Sequence, residues 1–157
     1  MGANLAFGMC AGVYTTLSLY LGTYFWEFST DQLAGLIIPT ALATFLAFIV
    51  LNHLGRRFDK PALLAVASFA LAMNLIWFIG ARLLGLLPEN GHPLIYPLQW
   101  LNLGIGVVLI ITLQVLGISL AADILDEQEL TTGRRQEGVV FAAGAFVGKA
   151  TTGAGSL

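Results

Sequence analysis

Four stretches of this chain, about 3–26, 33–52, 61–87 and 94–122, run for 20 residues or more with almost no charge, and a fifth occupies about 138–157. A helix of about 20 apolar residues crosses roughly 30 Å of hydrocarbon. No water is available at that depth, so a spanning segment must bond its own backbone as a helix or close into a barrel. Barrel strands alternate apolar and polar residues over about ten positions, and none of these runs alternates. The expected fold is an all-α membrane protein with about five transmembrane helices. Composition agrees, because hydrophobic residues make up 57% and charged residues 10% of the chain, whereas soluble domains carry about 25% charged residues. At 157 residues the chain has the length of one soluble domain but too much apolar surface for one core, so lipid is the expected partner. Net charge is −2 with no basic stripe, which argues against nucleic acid.

Local punctuation divides the spans. Residues 1–5 contain no Lys or Arg, so the basic region of a signal peptide is missing and the first run reads as a membrane span. Ser29 and Gln32 have capping-box spacing ahead of the second span, Pro39 should kink that span, and Pro61 suits a first helical turn. Residues 88–93 form a turn-rich loop. Tyr24, Trp26, Tyr96 and Trp100 lie near span ends, as aromatic belts do. Arg56, Arg57 and Lys60 fall in the loop at about 53–60, and Arg134 and Arg135 in the loop at about 123–137. By the positive-inside bias these two loops and the N-terminus face the cytoplasm of a multi-pass protein of the plasma (inner) membrane. Gly8 and Gly12, and Gly144 and Gly148, have the spacing that lets helices approach closely. Cys10 reads as a packed small hydrophobe.

Lys149 is the one charge deep inside an apolar run. It lies twelve residues beyond Glu137, about 18 Å at 1.5 Å per residue, near the midplane of the bilayer. A lysine there costs about 2.5–3.5 kcal/mol on insertion scales. Ala145, Lys149, Thr152 and Ser156 share one small, polar helical face, suited to a wet cavity or a partner helix. The competing reading is a structural lysine paired to an acid elsewhere, or a shallower span. Asn74, Asn102, Gln114, Thr15, Thr16 and Ser18 also sit inside spans and read as interhelical hydrogen-bonding groups; Thr15, Ser18 and Gly22 share a face that could line a cavity. His53 and His92 fall at helix ends. There is no Ser-His-Asp set, phosphate loop or metal-ligand spacing, so neither an enzyme nor a metal site is expected. The acidic run at 123–129 lacks the glycine-turned spacing of a calcium loop.

That run continues as Asp123, Asp126, Glu129, Thr132, Gly133, Arg135, Glu137 and Gly138, spelling D-x-x-D-x-x-E-x-x-T-G-x-R-x-E-G, with Lys149 in the span that follows. The pattern resembles the glycoside–pentoside–hexuronide cation symporters, the melibiose-permease-like branch of the major facilitator superfamily. The resemblance implies that the five spans are helices seven to eleven of a twelve-helix transporter, a partial major-facilitator-type bundle. It implies a secondary active transporter, of which this is a C-terminal part, that couples sugar uptake to entry of sodium, proton or lithium. Lys149 would face the substrate cavity, and Thr152 joins it as a candidate only because it shares the same helical face. Asp123, Asp126, Glu129, Arg135 and Glu137 would belong to a cytoplasmic gate of salt bridges. The family's cation-binding acids lie in the N-terminal half, so the expected coupling-cation site is not in this chain, and the missing N-terminal half becomes an expected partner. No cofactor is implied. The alternative is a non-transporting membrane protein, either an assembly partner or a decayed gene product.

Overall fold

The computed structural model describes residues 12–14, 16–55, 57–132 and 137–155, and those residues are helical apart from short connections. After a π-helical stretch at Leu21–Phe25 come α1 (Thr30–Gly35), α2 (Ile37–Leu54), α3 (Lys60–Leu83), α4 (Ile95–Thr132) and α5 (Glu137–Gly155). Among the described residues, three segments are long and apolar enough to cross a membrane: Thr30–Leu54, Lys60–Leu83 and Ile95–Glu127. The protein is an all-α membrane protein.

Each boundary has a local cause. The Ser29 side chain accepts from the Gln32 N–H while the Gln32 side chain accepts from the Ser29 N–H, closing a capping box at the start of α1. Helical geometry is interrupted at Leu36, between α1 and α2. Pro39 accounts for the break, because it has no N–H to offer the Gly35 carbonyl and its ring crowds that oxygen. α3 ends at Leu83 although the apolar residues continue through Leu87. Gly85 adopts φ +71°, its N–H bonds the Arg82 carbonyl, and the Leu86 N–H bonds the Ala81 carbonyl. That pair of bonds with a left-handed glycine is a Schellman motif, which stops a helix whatever the hydropathy beyond it. At the other extreme, α4 does not stop at the first acid but carries Asp123, Asp126, Glu127 and Glu129 in its last turns.

The chain divides into two compact units, Met1–Phe28 with Ala122–Leu157, and Ser29–Ala121. In the Ser29–Ala121 unit apolar side chains face outward as well as inward, where Leu71, Phe78 and Ile95 are buried. Large side chains point outward, with Phe45 73%, Ile49 68% and Phe69 67% exposed, while Ala47 is 0% and Asn74 7% exposed. In lipid the outward apolar groups cost nothing, and small or polar residues at the seams allow close helix packing. Hydroxyls in the spans are hidden by bonding back along their own helix: Thr40 donates to the Leu36 carbonyl, Thr44 to Thr40, Ser68 to Leu64 and Thr112 to Val108. Such back-bonding satisfies a donor that hydrocarbon cannot.

In the unit of Met1–Phe28 and Ala122–Leu157, the π-helical turn is closed by a bond from the Trp26 N–H to the Leu21 carbonyl at 2.9 Å, and the Phe28 N–H reaches Gly22 at 3.0 Å. Glu27 between them has φ 55°, a left-handed conformation that residues other than Gly, Asn and Asp seldom take. Trp26 and Phe28 are buried on either side of it with stacked rings.

Candidate functional site

The residues singled out by the acidic motif occupy the end of α4 and the start of α5. Asp123 and Asp126 are exposed and Glu129 is half-buried on α4, where Leu125 is the buried member of the same turns. Acids at i, i+3 and i+6 track slowly round a helix, so the motif spacing puts these three along one stripe. Glu137 opens α5. Arg135 lies outside the described residues, as do Arg56, Thr15, Gly8 and Ser156.

Lys149 sits in α5 twelve residues beyond Glu137, with its side chain exposed, and Thr152 follows on the same helix. The rise over twelve helical residues is about 18 Å. Phe146, one turn away, is 74% exposed. Among the described residues nothing lies within 4 Å of where a Cβ on Gly144, Gly148 or Gly153 would sit. Lys149 is thus exposed on the described part of this helix.

A second polar constellation runs through the seams of the Ser29–Ala121 unit. Asn74 of α3 donates from Nδ2 to the backbone carbonyl of Asn102 of α4 at 3.1 Å. Gly106, one turn beyond Asn102, makes room for it: a Cβ there would stand 3.1 Å from Asn74 Nδ2. On another face of α4 the Tyr96 hydroxyl donates to the Gln32 carbonyl at 2.9 Å, and Gly35 is small because that same hydroxyl lies against it. Trp100 packs edge-on to the Tyr96 ring with centroids 5.7 Å apart. Gly104 comes within 3.9 Å of Ala43 through its virtual Cβ. Three side-chain atoms on these turns are buried with no hydrogen-bond partner among the described residues: Gln99 Oε1, Trp100 Nε1 and Asn102 Oδ1. A buried polar group left unbonded costs about 1–3 kcal/mol.

The sequence reading named Asn74 and Asn102 as interhelical bonding groups, and the Asn74 amide does bridge two helices. Nothing in the spacing along the chain sets Gln99 apart, and Trp100 is expected there as an interfacial aromatic. The available signal was the grouping of Tyr96, Gln99 and Trp100 within five residues at the start of an otherwise apolar span.

Outward-facing apolar helices, polar and glycine-rich seams and hidden hydroxyls together define a multi-pass membrane protein. A family model described as MFS/sugar transport protein matches residues 1–157, and the chain belongs to that family. Its members are transporters rather than enzymes, and this chain is a transporter of that class. No curated protein and no solved structure matches it.

Proposed function

We propose that this chain is the C-terminal part of a sugar:cation symporter of the melibiose-permease-like branch, carrying helices seven to eleven in the plasma (inner) membrane with its N-terminus in the cytoplasm. In that reading the apolar runs at about 3–26 and 138–157 are spans as well, which brings the crossings to five. The observation that carries the proposal is the order of charges: the stripe Asp123, Asp126 and Glu129 on α4, Arg135 next in the sequence, Glu137 at the start of α5, then Lys149 about 18 Å along α5. The whole-length family match supports it.

Each group then has a task. The Lys149 ammonium carries three donors, enough to hold several sugar hydroxyls, and Thr152 adds a hydroxyl one turn on. A charge kept near the midplane against a cost of about 2.5–3.5 kcal/mol is retained for what it binds. The acids and Arg135 form ion pairs that hold the cytoplasmic side closed in one access state. Such pairs must be weak enough to open, and exposed pairs contribute about 0–1 kcal/mol each. The coupling ion, sodium or proton, changes the balance between states by binding one of them better.

The test is uptake of radiolabelled melibiose, xylose and glucuronate by cells producing the full-length protein with this sequence, with and without an imposed sodium or proton gradient. Accumulation that follows one gradient supports symport. Equilibration that ignores both gradients, or no uptake of any of the three, refutes it.

A further inference from the structure

Gln99 Oε1, Trp100 Nε1 and Asn102 Oδ1 are two acceptors and one donor, all on one stretch of α4 and all withdrawn from water without a partner among the described residues. Their faces are fixed by their neighbours. Asn102 lies on the side of α4 that meets Asn74 of α3, and Trp100 lies with Tyr96 on the side that meets Gln32 and Gly35 of α1. Gln99 falls between these two sides at 100° per residue. The three atoms therefore span the seams where α4 meets α1 and α3.

A chain that served only to pack would place leucine here, because polar atoms buried without a partner weaken the closed arrangement. The groups favour a state in which the seam parts and something bonds them. The kind of group that can do so is narrow. A cation satisfies the two carbonyl oxygens and repels the indole N–H. A carboxylate satisfies the N–H and repels the oxygens. A hydroxyl both donates and accepts, so a hydroxyl-rich solute can meet all three. The Tyr96–Trp100 ring pair supplies an apolar surface for the C–H face of such a solute.

Building on the transporter reading above, we infer that the first two turns of α4 form a contact station for a polyhydroxylated solute, in which Trp100 Nε1 donates and Gln99 Oε1 and Asn102 Oδ1 accept. The station is closed in this structure and opens as the solute passes.

The experiment measures two quantities on the full-length protein in nanodiscs: calorimetric binding of melibiose, xylose and glucuronate, and the thermal unfolding midpoint. The variants are Gln99→Leu, Asn102→Leu and Trp100→Phe, with Gln114→Leu, whose side chain is exposed on the same helix, as control. The station predicts that each of the three weakens the best-binding sugar at least tenfold while the midpoint stays level or rises, and that Gln114→Leu changes neither. Unchanged sugar affinity in all three variants overturns the inference alone and assigns the groups to water. A fall in midpoint with unchanged affinity also overturns it, by showing a packing role. Failure of the unaltered protein to bind any of the three sugars overturns the sugar-transport reading, and the inference with it.

Discussion

Asn74 Nδ2 of α3 donates to the backbone carbonyl of Asn102 in α4 across 3.1 Å, joining two helices that are each long and apolar enough to cross a membrane. The bond is possible because Gly106 leaves the space beside it. Polar contacts between membrane helices average about 0.6 kcal/mol and reach about 1.7 kcal/mol. Asn74→Ala should therefore lower unfolding free energy by about 1 kcal/mol in a mixed-micelle titration. Gly106→Ala should do the same by pushing the amide off its acceptor. The double variant should cost less than the sum, since removing the amide makes room for the new methyl. Strict additivity would show that the two residues act separately.

Gly35 and Tyr96 make a second such pair. A methyl at Gly35 collides with the Tyr96 hydroxyl, which is held on the Gln32 carbonyl at 2.9 Å. Gly35→Ala should destabilise the protein by about 1–3 kcal/mol, the usual cost of overpacking. Adding Tyr96→Phe should recover part of that loss, because the oxygen that clashes is gone. Thermal unfolding of the two single variants and the double variant measures both effects.

Glu27 holds φ 55° directly after the π-helical turn. Glycine takes that conformation without penalty, and strain of this kind costs on the order of 1–3 kcal/mol. Glu27→Gly should raise the unfolding midpoint, partly offset by the greater freedom of glycine in the unfolded chain. A lower midpoint would mean that the Glu27 side chain contributes more than its backbone conformation costs.

Much of the architecture was legible because lipid makes hydropathy a direct record of position. The helix start at Ser29–Gln32 and the break before Pro39 were readable from chemistry confined to four or five neighbouring residues. α3 ends four residues before the apolar run does, since Leu86 and Leu87 extend the run while Gly85 ends the helix through a left-handed backbone. The charge of the acidic run marks the exit from hydrocarbon and so reads as a loop; Leu, Gln and Glu are good helix formers, and α4 continues through it to Thr132. The π-helical turn at Leu21–Phe25 leaves no trace in composition, since it changes only which carbonyl each N–H meets. The seam groups were illegible for a different reason. Whether Gln99 or Asn102 finds a partner depends on the side chains that α1 and α3 bring opposite, which spacing along α4 does not encode. Lys149 stood out because a single charge in a long apolar run needs no partner to be noticed.

The central claim rests on Lys149 as the cavity residue of a solute symporter. The most direct measurement is sugar accumulation by cells producing the full-length protein with Lys149→Ala, read beside its level in the membrane. The account predicts that accumulation falls to that of cells lacking the transporter while the membrane level is unchanged. Normal accumulation by the Lys149→Ala protein would contradict it.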